Sequence, residues 1–153
     1  MNERKIDGRY GRIYKQLSEL VLKSNSASAR MATIVAVLHH KMDYFFWTGF
    51  YLLESGKMTV NIYQGPVACQ ILEKNKGVCW AAYNKKETIV VEDVHSFPGH
   101  IACDSRSNSE IVIPFKNREG EIIGVLDVDS KKKASFSAID SKWLTKILEL
   151  VWI

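Results

Sequence analysis

Residues 111–129 read IVIPFKNREGEIIGVLDVD, and this stretch decides the fold that we predict. Two apolar runs, Ile111–Phe115 and Ile122–Asp129, flank the turn sequence NREG at residues 117–120. A polar, glycine-containing turn between two such runs is typical of a β-hairpin. We therefore expect an antiparallel sheet to be built around this hairpin.

The second strand of this hairpin becomes acidic at its end. Side chains alternate along a strand, so Asp127 and Asp129 share a face, roughly 7 Å apart. Their spacing alone is also typical of a solvated strand end. Pairing through the 117–120 turn sets residues whose numbers sum to about 237 opposite each other, which places Glu110 across from Asp127 if no bulge intervenes. Three carboxyl groups so close raise one another's pKa, so we expect an ammonium group to neutralise them, with a metal ion as the alternative.

The segment 92–110, which precedes the hairpin, is polar and rich in Ser, Gly and Pro. Loops of this length are often functional. It contains Cys103, and a reactive cysteine needs nearby positive charge, for which His95, His100 and Arg106 are candidates. A cysteine without such surroundings is usually a small buried side chain. The polar loop and the neighbouring acids favour a nucleophile.

The chain contains three cysteines, and the other two, Cys69 and Cys79, lie near glycine-containing turns. One nucleophile, one resolving thiol and one spare thiol would fit this number, as would a redox sensor. The paired spacing of zinc motifs is absent, so we place a zinc site behind the redox roles and assign no metal ligands among the site residues.

Helices are predicted before and after the sheet-forming region in the sequence. Apolar residues recur at three- and four-residue steps in 6–22, in 31–38 and again in 139–151. The last of these follows Ser137 and Asp140, whose spacing resembles a capping box.

Between the helices, the alternating segments 44–53 and 58–63 predict a second hairpin. On strict alternation Trp47 and Tyr51 share a face with Phe45. An aromatic pair of this kind either belongs to the core or grips a methylthio group or a cation.

The order of these elements predicts an α+β fold with a central antiparallel sheet and helices mainly on one face, in a single domain over 1–153.

Hydrophobic residues make up 46% of the chain and charged residues 25%, which is a globular composition. The net charge of +4 is scattered, so we expect no nucleic-acid partner. We find neither a signal peptide nor an apolar run long enough to span a membrane, and we expect a cytoplasmic protein.

Several segments between residues 47 and 130 together form a pattern that we recognise. They are WTGFY at 47–51, GPVAC at 65–69, GVC at 77–79, DVHSFPGHIACD at 93–104, SNSEIV at 107–112 and GVLDVDS at 124–130. In these segments the chain resembles the free methionine-(R)-sulfoxide reductases, single-domain enzymes built on the GAF fold. It departs from their pattern at Trp80, where the family usually has glycine.

The resemblance implies a thiol mechanism without a bound cofactor. Cys103 would attack the sulfoxide sulfur and become a sulfenic acid, and either Cys69 or Cys79 would then form a disulfide with it. Thioredoxin, ultimately supplied by NADPH, would reduce the disulfide. The resemblance also implies a homodimer.

For the substrate, the resemblance implies that Glu110, Asp127 and Asp129 hold the amino group and assist proton delivery. Trp47 and Tyr51 would line the side-chain pocket. A peptide lacks the charged amino group, which explains a preference for the free amino acid. The alternatives are a non-catalytic GAF sensor that binds a small molecule, and a thiol redox switch.

Overall fold

The computed structural model describes residues 2–100 and 103–153. Its four α-helices are α1 (Glu3–Leu20), α2 (Ala27–Lys41), α3 (Gly77–Lys85) and α4 (Ala138–Leu148). Its strands are β1 (Trp47–Glu54), β2 (Lys57–Gln64), β3 (Ile71–Leu72), β4 (Ile89–Val91), β5 (Ser109–Lys116) and β6 (Ile122–Ser130). Short 3-10 helices occupy Val21–Lys23, Val94–Ser96 and Glu149–Trp152. None of the described helices combines the length and the apolar character needed to cross a membrane.

The six strands form one antiparallel sheet in the order β3-β2-β1-β6-β5-β4. Both predicted hairpins are confirmed, as β1–β2 and β5–β6. Because β1 also pairs with β6, the first strand of one hairpin lies beside the second strand of the other at the centre of the sheet.

The larger core lies between one face of the sheet and helices α1, α2 and α4. Phe50, Phe115 and Leu126 point from the sheet into this core and are fully buried. Helix α4 begins with the predicted capping box. The Ile139 amide donates to the Ser137 side chain, and the Ser137 amide donates to the Asp140 side chain. The predicted α+β class, with most helices on one face, is confirmed.

Helix α3 packs on the opposite face of the sheet. Val78 and Ala82 of this helix join Val112 and Val125 of the central strands in a second, smaller core. The helix covers only part of this face, so a cavity remains between the sheet, the first turn of α3 and two loops.

Two predicted details of strand geometry are wrong. Glu110 pairs with Asp129, not with Asp127. The connection is one residue longer than predicted, since the Asn117 amide donates to the carbonyl of Glu121, and a bulge at Phe115/Lys116 shifts the register once more.

Phe45 is the second wrong detail, because it does not share a face with Trp47. It precedes β1 and belongs to the helix-side core, where its ring contacts Tyr44 and Phe136. Alternation applies only inside a strand, and β1 begins two residues later, at Trp47.

Candidate active site

Seven of the eight predicted site residues line the same cavity, which contains about 620 Å³ of space including its open mouth. They are Trp47, Tyr51, Cys79, Cys103, Glu110, Asp127 and Asp129. The eighth, Cys69, is joined to Cys103 by a disulfide.

Three of these side chains form an acid cluster, which we define as Glu110 of β5 with Asp127 and Asp129 of β6. All three project from one face of the sheet, since the side chains of paired residues and of residues two apart in a strand share a face. Glu110 and Asp127 are each only 6% exposed. The sequence prediction that these acids converge is therefore confirmed, despite the shifted register.

Burial and mutual repulsion disturb the ionisation of the acid cluster. Burial, followed by the charges of Asp127 and Asp129, raises the pKa of Glu110 well above its usual value. Burial and Asp127 likewise raise the pKa of Asp129. Burial raises the pKa of Asp127 too, but hydrogen bonding from its neighbours, first of all Glu110, opposes the rise. Asp127 is thus the member best placed to carry the negative charge.

Asp127 also has an unsatisfied atom. Among the described residues, no partner donates a hydrogen bond to its Oδ1, although the atom is buried. A buried acceptor without a donor costs about 1–3 kcal/mol, and more when it is charged. Because Asp127 lines the cavity, a donor or a cation in the cavity can satisfy it.

The disulfide between Cys69 and Cys103 joins two loops across the cavity mouth, and the two Cα atoms are 5.6 Å apart. Both predicted aromatic residues hold the Cys69 loop in place. The Trp47 indole N–H donates to the Pro66 carbonyl at 3.0 Å, and the Tyr51 hydroxyl donates to the Cys69 carbonyl at 3.2 Å. The two rings stack with centroids 5.7 Å apart.

Cys79 occupies a different environment. It lies in the first turn of α3, is 4% exposed and is the free thiol among the three cysteines. Burial, with the negative charges of Asp127 and Glu110, raises the pKa of its thiol well above the usual value. The neighbouring Trp80, 4% exposed and packed edge-on against Tyr83, fixes this turn against the second core.

The expected positive charge near Cys103 is not available from two of its three candidates. Arg106 forms a two-point ion pair with Asp104, at 3.0 and 2.7 Å, and stacks over the Phe46 ring. His100 lines the cavity, but burial and the nearby His95 lower its pKa, so it is neutral at pH 7.

Sequence reasoning missed Asn108, which holds the end of the Cys103 loop. Its side-chain amide donates to the Lys131 carbonyl at 2.7 Å, and its oxygen lies 3.1 Å from His95 Nε2. Its backbone amide donates to Ser130 at the end of β6. These partners are distant in sequence, so no local pattern indicated the role.

Comparison with known proteins places this architecture in a family. A family model described as GAF domain matches residues 26–153. GAF domain-containing protein A of Dictyostelium discoideum is 45% identical over 143 residues, which cover 93% of this chain and 89% of that protein. The free methionine-R-sulfoxide reductase of Escherichia coli is 37% identical over 91% of this chain and 84% of its own length.

Among solved structures, the free methionine-R-sulfoxide reductase of Neisseria meningitidis, in complex with its substrate, superposes with a TM-score of 0.90. It is 35% identical, and the match covers 99% of this chain and 90% of that one. The likeness extends over the sheet and the helices on both of its faces. This chain belongs to the GAF domain family.

Proposed function

We propose that this protein is an oxidoreductase that reduces free L-methionine-(R)-sulfoxide to methionine. The observation that carries the proposal is the cavity in which Cys103 and the acid cluster meet. A cysteine sulfur is a nucleophile for the sulfoxide sulfur, and a buried acid cluster is a receptor for an unblocked amino group. The activity named for the E. coli and N. meningitidis relatives supports the same assignment.

The acid cluster selects a substrate with a free α-amino group. Its ammonium can donate to Asp127 Oδ1, which is buried without a donor among the described residues. The positive charge also offsets the repulsion among the three carboxyl groups. In a peptide this nitrogen is a neutral amide, so the cluster would keep its uncompensated charge. The Trp47 and Tyr51 side chains, which line the cavity, then contact the sulfoxide side chain.

Glu110 is the proton donor in this proposal. Its raised pKa keeps the carboxyl protonated at a pH where an ordinary glutamate is ionised. The reduced Cys103 sulfur attacks the sulfoxide sulfur while Glu110 protonates the sulfoxide oxygen. The hydroxyl group then transfers to the Cys103 sulfur while the new sulfur–sulfur bond and the substrate S–O bond break. Cys103 becomes a sulfenic acid, and methionine leaves with its sulfur reduced to a thioether.

Cys69 is the resolving cysteine in this proposal. Its thiol attacks the Cys103 sulfenic acid, which forms the disulfide and releases water. The disulfide found between these two residues supports Cys69, as does the buried position of Cys79 beside the fixed Trp80 side chain. A dithiol reductant, for which we propose thioredoxin supplied by NADPH, then reduces the disulfide and is itself oxidised.

Recycling by thioredoxin requires a reducing compartment, and we propose the cytoplasm.

We also propose that the protein is a homodimer, as the resemblance implies. The C-terminal apolar segment does not by itself demand it, because Leu150 and Val151 are buried within the chain. Sedimentation velocity measures this directly.

The test is thioredoxin-coupled NADPH consumption with free methionine sulfoxide, the two sulfur epimers being supplied separately. We expect turnover of the R epimer, little turnover of the S epimer, and none of the N-acetylated R epimer. Cys103→Ser should abolish turnover. Binding without turnover would instead indicate a sensor, and oxidation of the cysteines by peroxide without selectivity for methionine sulfoxide would indicate a redox switch.

A further inference from the structure

Cys79 is a buried nucleophile that the proposed reaction does not use. Its Sγ, one carboxylate oxygen of Glu110 and one of Asp127 all lie within 4.8 Å of one another. The three side chains come from α3, β5 and β6, and all of them line the cavity. They are 4%, 6% and 6% exposed, respectively.

We propose that Cys79, Glu110 and Asp127 form a binding site for a thiophilic divalent cation, with Zn²⁺ as the physiological representative. On binding, the Cys79 thiol and the Glu110 carboxyl each release a proton to solvent, and the Cys79 sulfur becomes a ligand. One oxygen from each carboxylate completes a three-residue donor set, and water supplies a fourth position.

The chemistry of the donor set indicates which cation it binds. Zn²⁺ accepts thiolate and carboxylate ligands together, at about 2.0–2.3 Å, in a tetrahedral arrangement. Ca²⁺ and Mg²⁺ take oxygen ligands, so the sulfur disfavours them. Three protein ligands with an open fourth position is the pattern of accessible zinc sites, and here the open position faces the cavity.

A second observation, independent of the clustering, also indicates a ligand. Asp127 Oδ1 is buried and, among the described residues, has no hydrogen-bond donor. An anionic oxygen in this state is destabilising until a donor or a cation meets it. A cation bound by Cys79 Sγ would meet this carboxylate from inside the cavity.

Because the site uses two members of the acid cluster, a bound cation would occupy the place of the substrate's ammonium group. This consequence rests on the proposed function, whereas cation binding itself does not. We therefore expect Zn²⁺ to inhibit the reductase in competition with free methionine sulfoxide.

The test uses the protein with its Cys69–Cys103 disulfide closed and no reductant present, so that Cys79 is the one thiol available. Thiol titration after denaturation should first confirm one thiol per chain. Titration with Cd²⁺ should then produce a thiolate-to-metal absorption band that saturates at one ion per chain. ZnCl₂ should abolish this band by competition, and free methionine should weaken the apparent affinity for Cd²⁺.

Two variants and a control decide the site. Cys79→Ser should eliminate the band, and Asp127→Asn should weaken Cd²⁺ binding at least tenfold while circular dichroism shows a folded chain. His40→Ala, which removes an exposed imidazole of α2 outside the cavity, should leave binding unchanged. Absence of the band, or a band whose affinity does not respond to Asp127→Asn, would overturn the proposal. A normal band in a protein without reductase turnover would overturn the proposed function and leave the cation site standing.

Discussion

Glu110 lies directly opposite Asp129 where β5 and β6 pair. Side chains of directly opposed residues have Cβ atoms about 4.5–5.5 Å apart, and those of diagonal neighbours about 7–8 Å apart. Asp127 is such a diagonal neighbour of Glu110 on the same face of the sheet. Two carboxyl groups this close do not both stay ionised, and the pKa of each is raised well above its usual value, so the pair holds a proton.

Glu110→Gln should therefore lower kcat far more than it raises KM. The amide keeps the shape of the side chain but cannot deliver a proton to the sulfoxide oxygen. General acid catalysis is typically worth about 10²–10⁴-fold, so we expect kcat to fall at least about 10²-fold. Steady-state kinetics with the free R epimer measure both parameters.

Glu87→Gln is the matched control for this variant, because it makes the same change at an exposed position outside the cavity. Its kinetics should equal those of the parent protein. If Glu110→Gln changes kcat and KM by equal factors, the residue serves binding and the proton-donor role is wrong.

The convergence of the acids was predictable from sequence although the register was not. Strand side chains repeat every second residue, so a register error of two leaves every side chain on its predicted face. The real pairing differs from the predicted one by two, through the longer turn and the bulge at Phe115/Lys116. Glu110 therefore kept its face and changed only its partner.

The stability of the protein should decrease as pH rises above the ordinary carboxyl range. The raised pKa of Glu110 means that, above about pH 4.5, the folded chain holds a proton that the unfolded chain has released. The free energy of unfolding then falls with pH, by about 1.36 kcal/mol per pH unit for one such group, until the folded carboxyl also ionises. Urea unfolding of the disulfide-closed protein at pH 5 to 8 measures this slope.

Glu110→Gln should reduce that slope and raise the free energy of unfolding most at the alkaline end of the range. Glu87→Gln, whose side chain is exposed, should leave the slope as it is. An unchanged slope in Glu110→Gln would show that another group causes the pH dependence.

The roles of the cysteines separate in single-turnover experiments. Cys69→Ser should still release one methionine per chain from free methionine-(R)-sulfoxide, but should not continue with thioredoxin, because the sulfenic acid on Cys103 lacks its partner. Cys79→Ser should turn over repeatedly, since that thiol is buried and outside the disulfide. The measurement is methionine formed per chain, with and without thioredoxin. Sustained turnover in Cys69→Ser, or one turnover only in Cys79→Ser, would exchange the two assignments.

The charges around Cys103 show where the sequence was insufficient. Arg106 is close to Cys103 in the chain, and this proximity made it one of three candidates for the positive charge near the thiol. In the structure Arg106 forms an ion pair with Asp104 instead, and this pair lowers the pKa of the Asp104 carboxyl to about 2. Which of several nearby partners a flexible cation chooses depends on loop geometry, and residue spacing does not specify it.

Gly49→Ala should destabilise the protein and disturb the site together. An added Cβ would lie 2.7 Å from Cη2 of Trp47 and closer still to Cβ of Tyr63, both on the same face of the sheet. Overpacking of this kind costs about 1–3 kcal/mol. A displaced Trp47 would also lose its hydrogen bond to Pro66, which holds the Cys69 loop, so kcat/KM should fall as well. Gly8→Ala is the matched control, because this glycine lies in α1 with its nearest neighbouring atom 3.4 Å away. That change should stabilise the helix by up to about 1 kcal/mol and leave kcat/KM unchanged. Equal stability and activity in Gly49→Ala would mean that Trp47 can shift freely, and that it does not position the loop.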